Sequence, residues 1–306
     1  MGSTRPSRFP PPRAAPGALV ALAAAALGVA LALPAASQQK PAASLPPPDA
    51  GEPAENSAGA VPPKPVAFRP PPEAAMPGGP FGAAVRLGRA IFTDTQRYAK
   101  RYVGNGLNCE NCHLDAGRLA DSAPLWAAYT RFPAYRSKNG KVNSFEDRLA
   151  GCFRFSMNGQ APSYDSEEMI ALVAYSYWLA QGAPTGAELE GRGYPKLGKP
   201  AKPPDAKRGA DVFAANCAIC HGADGQGTKA GARYAFPPLW GPQSFNAGAG
   251  MHNVATAAAF IRRNMPLGKG GTLSEQDAWD VAAFMDGHER PPDPRKLSAA
   301  AAPRGR

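Results

Sequence analysis

The sequence predicts an all-α protein of two small tandem domains joined by a linker, with non-globular segments at both ends. Three observations predict it. Apolar residues recur at helical spacing through the middle of the chain, and no alternating strand pattern of useful length interrupts them. A short helix leading into a Cys-x-x-Cys-His element occurs twice, each time followed by a second helical pattern, as expected of a duplicated domain. Every tryptophan, tyrosine, cysteine and histidine lies in that central region, whereas the 35 prolines crowd toward the ends.

Residues 1–37 read as an export signal. Arg5, Arg8 and Arg13 form a positive start, Ala18 to Leu33 is apolar, Pro34 breaks the run, and Ala35-Ala36-Ser37 supplies the small residues of a cleavage site. The lack of adjacent arginines favours the general secretory route, and the apolar run falls short of the ~20 residues of a membrane anchor. The destination is therefore the periplasm. Residues 38–75 hold eleven prolines and one aromatic, Phe68. That composition buries too little apolar surface to offset its ordering entropy, so it reads as a disordered spacer, and residues 289–306 read as a similar tail. The first domain then spans 76–182 and the second 205–288, with a Gly-, Pro- and Lys-rich linker over 183–204.

Within the first copy, Leu87 to Phe92 leads to Cys109-Glu110-Asn111-Cys112-His113; within the second, Lys207 to Phe213 leads to Cys217-Ala218-Ile219-Cys220-His221. The closing helices carry capping-box patterns, Asp165 with Glu168 and Ser274 with Asp277. Spacings of three and four place Leu172, Tyr175 and Leu179 on one face, and Ala278, Val281 and Met285 on the equivalent face of the second copy.

Cys-x-x-Cys-His is the attachment site of a c-type haem. The two thiols reach the two vinyl groups of one porphyrin, and the adjacent imidazole turns under the ring to the iron. A redox disulfide or half a zinc site would use the same cysteine spacing. Two copies, each followed by histidine, in an exported chain favour two covalently attached haems c, with His113 and His221 as proximal ligands. The domains are then cytochrome c-type.

In the second domain Met265, before Pro266 and ahead of the final helix, is the expected distal ligand, with Met251 and His252 as rivals and Met285 assigned to the core. Methionine–histidine ligation raises the potential and suits electron transfer. In the first domain the fifth cysteine, Cys152, has no disulfide partner left. It is either a buried inert thiol or an iron ligand. Met157 competes with it for the iron, and composition does not decide between them.

The formal charge is +10, or +7 without residues 1–37, which carry three arginines and no acids. A basic surface attracts anions. Nucleic acid is not the expected partner, because no recognisable binding motif is present.

The stretch from Tyr102 to Arg118, which includes Gly104-Asn105-Gly106-Leu107-Asn108-Cys109, resembles the first haem site of the dihaem thiosulfate dehydrogenases. Tyr135-Arg136, Glu146-Asp147-Arg148-Leu149, Cys152 and Ser156-Met157-Asn158-Gly159 continue the resemblance. Asn264-Met265-Pro266-Leu267-Gly268 and Ala278 to Phe284 are similar to that family's second domain. The resemblance implies oxidative coupling of two thiosulfates to tetrathionate, which some members also run in reverse. It implies a catalytic haem ligated by His113 and Cys152 and a second haem, ligated by His221 and Met265, that delivers electrons to an external acceptor. A soluble or membrane-bound cytochrome or a high-potential iron–sulfur protein fits that role.

Thiosulfate is a dianion, so joining two of them requires cationic groups. Arg148, four residues before Cys152, falls on its helical face, and Ser156, four after it, offers a hydroxyl. Arg136 and Lys138 precede them on a loop; the family often has arginine at the latter position. Some members have lysine beside the second-haem methionine, where this chain has Asn264, so no ligand exchange is expected there. Three other readings remain: a non-enzymatic dihaem electron carrier, a thiosulfate-binding haem subunit of a sulfur-oxidising complex, and a haem peroxidase, the last disfavoured because two fully ligated irons leave no open position.

Overall fold

The computed structural model describes residues 64–137 and 139–301. The export signal, most of the spacer, Lys138 and residues 302–306 lie outside the described residues. Each copy is organised by one pair of crossing helices. Gly79–Thr93 packs on Glu167–Leu179 in the first copy, and Ala206–Asn216 packs on Glu275–Asp286 in the second. The close crossing is made by an equivalent glycine. A Cβ on Gly88 would lie 2.0 Å from the Ala171 carbonyl oxygen, and one on Gly209 would lie 2.1 Å from that of Asp280. The apolar faces expected from spacing are the buried ones: Leu172, Tyr175 and Leu179 in one helix, Ala278, Val281 and Met285 in the other.

Caps decide where the closing helices start. Ser274 accepts from the Asp277 amide, as the sequence pattern predicts. In the first copy the cap is Ser166, one residue beyond the expected Asp165; its hydroxyl accepts from the Met169 amide, and Glu168 instead pairs with Arg101 at 2.6 Å. The described residues also contain two short antiparallel hairpins, Ala134–Arg136 with Lys141–Asn143 and Thr228–Ala230 with Arg233–Phe236. Otherwise the fold is helical. No helix among the described residues is long and apolar enough to cross a membrane.

Three segments expected to be non-globular are packed. The described part of the spacer packs on the first domain: Phe68 meets Trp126 at a tilt, 5.4 Å between ring centres, Arg118 donates to the Pro71 carbonyl at 2.7 Å, and Glu73 pairs with Arg89. The linker docks through Leu189, which is 2% exposed, and Tyr194. The tail crosses the second domain, with the Arg290 side chain buried over the Phe245 ring and a helix over Pro294–Ala301. The proline content was misleading because a few large side chains bury enough surface to hold a Pro-rich strap.

Two buried asparagines weld the copies together. Asn105 donates to the carbonyls of Ser156 and Ser244, at 2.8 and 3.1 Å, one from each copy. Asn246 of the second copy reaches back to the Arg154 carbonyl at 2.9 Å. Gly106 lets Tyr234 approach, since a Cβ there would sit 2.3 Å from the ring.

Beneath the tail, Asp286 lies between Arg290, 3.3 Å away, and His252, 3.6 Å away. Burial, only partly offset by Arg290, raises its carboxyl to about 7. The folded state thus holds a proton between the ordinary carboxylate range and pH 7 that the unfolded chain has lost, so stability falls as pH rises through that window.

Two outcomes are expected. Gly88→Ala and Gly209→Ala should each lower unfolding free energy by about 1–3 kcal/mol through overpacking, read by denaturant titration of the holoprotein. In Asp286→Asn the decline in stability between pH 5 and about 7 should be flattened; an unchanged slope would place the proton elsewhere.

Candidate functional site

The first site is built on one continuous helical path. Ser144 caps Phe145–Gly151 by accepting from the Asp147 amide, and the helix runs into a widened π-type turn over Cys152–Ser156. The Met157 amide bonds back to the Cys152 carbonyl at 2.9 Å, the five-residue closure of such a turn. Arg148 and Cys152 therefore lie one above the other, and the guanidinium Nη1 donates to Sγ at 2.9 Å.

His113 faces this pair. Its Nδ1 is 2.7 Å from the Ala123 carbonyl oxygen, which can only accept, so Nδ1 carries the hydrogen and Nε2 presents a lone pair. The Cys152 thiol and this imidazole face the same narrow cavity. Burial resists ionisation of Cys152, but the groups facing it, led by the Arg148 guanidinium, outweigh it and bring the thiol down to about 7. The other two thiols differ. Burial pushes Cys109 and Cys112 each up to about 12. Cys152 also raises the Arg148 pKa in return.

A narrow cavity of about 60 Å³ runs between these groups, lined by Cys109, Cys112, His113, Arg148, Cys152 and Ser156. Met157 lines it as well but is 3% exposed and belongs to the core. Arg136 stands at the end of its hairpin strand, its guanidinium over Phe132 at 5.9 Å. Its pKa is lowered by partial burial and then by Arg148 and Arg131, of which Arg148 lines the cavity and Arg131 pairs with Glu188. Lys138 lies outside the described residues.

The second site repeats the plan with a different far wall. His221 Nδ1 is 2.8 Å from the Pro237 carbonyl oxygen, again leaving Nε2 free. It borders an apolar cavity of about 370 Å³ that also receives Cys217, Cys220 and Met265. Met251 and Met285 reach the same cavity. His252 does not; its Nδ1 faces Asp286. Asn264 is tied down, its amide donating to the carbonyls of Asp121 and Phe260, both at 3.2 Å.

The residues present fit c-type haem. Each cavity brings two cysteines and an imidazole with a free Nε2 to one apolar wall. None of the five cysteines is paired in a disulfide, and among the described residues no three His, Cys, Asp or Glu side chains converge as a metal cage. The second cavity has the volume of a cofactor pocket. The first is narrower because Arg148 and Cys152 reach across it toward His113.

Residues 95–185 match the family described as SoxA/TsdA, cytochrome c domain, and residues 204–285 match cytochrome C oxidase, cbb3-type, subunit III. The thiosulfate dehydrogenase of Stutzerimonas stutzeri (strain A1501) is 60% identical over 224 residues, which cover 73% of this chain and 73% of that protein. This chain belongs to the thiosulfate dehydrogenase family. The thiosulfate dehydrogenase of Thiomonas intermedia (strain K12) is 56% identical over 74% of this chain and 72% of its own. The solved thiosulfate dehydrogenase (TsdBA) from Marichromatium purpuratum superposes with a TM-score of 0.73 at 49% identity. The match covers 78% of this chain and 54% of that one, so this chain spans about half the length of that structure. Two cytochrome c domains with covalently bound haem c, and an oxidoreductase function, follow from membership of the thiosulfate dehydrogenase family.

Sequence reasoning missed three participants. Thr95 donates to Cys109 Sγ at 3.4 Å and accepts from its amide, and nothing in its local sequence marks it. Asn105 was visible as part of the lead-in motif, although its bridging role was not. Tyr194 was set aside with the linker, where it is the only aromatic residue, and that isolation was the available signal.

Proposed function

We propose that this chain oxidises thiosulfate, coupling two molecules to tetrathionate at the first haem, and passes the two electrons through the second haem to an external acceptor. It acts in the periplasm after export on residues 1–37, and the acceptor is a cytochrome or a high-potential iron–sulfur protein. The observation that carries this reading is Cys152, an ionisable thiol held between the Arg148 guanidinium and the His113 imidazole.

Cys109, Cys112, His113 and Cys152, which line one cavity, would hold one haem. Cys217 and Cys220 would hold the other, with His221 and Met265. When bound, haem supplies one-electron redox chemistry at each site, at lower potential with a thiolate ligand and higher with methionine. The rest is the work of side chains. Arg148 has five donors, enough to hold the Cys152 sulfur and a sulfonate oxygen together. Arg136 and Lys138 offset the charge of the second dianion, and Ser156 offers a hydroxyl to the same space.

Cys152 then acts as a nucleophilic carrier. Its thiolate would form a sulfur–sulfur bond to the outer sulfur of one thiosulfate with loss of two electrons, an oxidation for which the two haems, when bound, would supply the one-electron acceptors. The outer sulfur of the second thiosulfate attacks the sulfur bound to Cys152, the bond to Sγ breaks, and tetrathionate departs as the thiolate is restored. Met265 stays in place because Asn264 is committed to two carbonyls and offers no replacement ligand.

The purified chain, given thiosulfate and ferricyanide and no protein partner, should produce tetrathionate; a requirement for a partner protein would refute the reading. Cys152→Gly should retain both haems and lose turnover. Arg148→Gln should lower kcat by about 100-fold. Met265→Ala should lower the potential of the second haem and slow ferricyanide reduction, while reduction of the first haem by thiosulfate keeps its rate.

A further inference from the structure

We infer that Tyr194 is the bridging residue between the two haem sites, fixing their common wall and carrying the electron path across it. The two cavities are not separate. Leu107 and Cys112 line both, so the first attachment motif is also part of the second cavity's boundary. Tyr194 is fastened to that boundary from both sides. Its hydroxyl donates to the Cys112 carbonyl at 2.8 Å. Its ring meets Phe260 edge-on at 5.4 Å, and Phe260 lines the second cavity. Cys112 would be bonded to the first porphyrin, so the chain of contacts runs from that porphyrin through the Cys112 carbonyl, the phenol and Phe260 to the second cavity.

The segment around Tyr194 is held in register with the proximal histidine of the first site. The Asp121 amide donates to the Gly191 carbonyl at 2.7 Å and the Ala123 amide to that of Gly193 at 2.8 Å. The Ala123 carbonyl is the acceptor for His113. Asp121 in turn holds Arg263 at 2.9 Å, two residues before Met265. One strap therefore holds the loop that carries both the acceptor for the first site's histidine and the partner of Arg263 near the second site's methionine, and its Tyr194 side chain meets both Cys112 and Phe260.

The step is a single-electron transfer in which Tyr194 neither gains nor loses a proton. Its phenol is pushed well above its ordinary value, first by burial, so the hydroxyl remains a donor at working pH. A protonated phenol between apolar walls supplies fixed contacts in place of water. This role rests on both sites carrying haem, and it holds whichever sulfur compound is the substrate.

The test uses the holoprotein and pulse radiolysis, which delivers one electron without thiosulfate, followed by the optical spectra of the two haems. Tyr194→Leu should slow electron redistribution between the haems about tenfold or more. Tyr194→Phe, which keeps the ring and loses the hydrogen bond, should fall between that variant and the parent protein. The low-spin electron paramagnetic resonance signals of both haems should be unchanged in both variants. Tyr234→Leu, which loosens the Gly106 contact between the copies outside the Cys112–Tyr194–Phe260 chain of contacts, should redistribute at the parent rate. An unchanged rate in Tyr194→Leu would overturn the inference. So would equal slowing in Tyr234→Leu, or altered haem signals accompanying the slower rate, since either would reduce Tyr194 to a packing role. A failure of thiosulfate turnover with normal redistribution would count against the proposed function alone.

Discussion

The contact between Arg148, Cys152 and His113 organises the first domain. A buried thiol is ordinarily neutral, because burial disfavours the charged form. Here a guanidinium one helical turn away and an imidazole across the cavity reverse that preference. The supporting structure exists to keep these three groups aligned. The Ser144 cap starts the helix in the right place, the widened turn after Cys152 sets Ser156 and Met157 around it, and the Ala123 carbonyl fixes the histidine tautomer.

The second copy shows what the same scaffold does without that contact. Its helix pair, its crossing glycine and its carbonyl-anchored histidine are equivalents of the first. Its far wall presents thioethers and no cationic partner, which suits transfer of electrons and offers no grip on an anion. The two copies have diverged in what faces the histidine while keeping how the histidine is held. The asparagine bridges and the shared cavity wall tie the two sites to each other through buried hydrogen bonds and common residues.

Much of this was legible in the sequence, for physical reasons. The Cys-x-x-Cys-His elements and the helical periodicity are local patterns, and local patterns survive without knowledge of tertiary contacts. Arg148 and Cys152 were legible because a spacing of four on a helix is itself a contact. The cap at Ser166 was misplaced because Asp165, Ser166 and Glu168 offer competing patterns, and Glu168 is drawn away by Arg101 from a distant segment. The ordered strap at Phe68, the docked tail at Arg290 and the bridging Tyr194 were hidden for a common reason. Each sits in a proline- or glycine-rich stretch whose composition signals disorder, and each is fixed by one large side chain meeting a partner far away in the chain.

In the proposed mechanism the fifth sulfur, that of Cys152, belongs to the first iron. Electron paramagnetic resonance of the oxidised holoprotein examines it without any substitution or substrate. The account predicts two low-spin ferric species, one with the narrow g-spread of histidine–thiolate coordination and one with the spread of histidine–methionine. Two species of the histidine–methionine kind, with no thiolate signature, would contradict it.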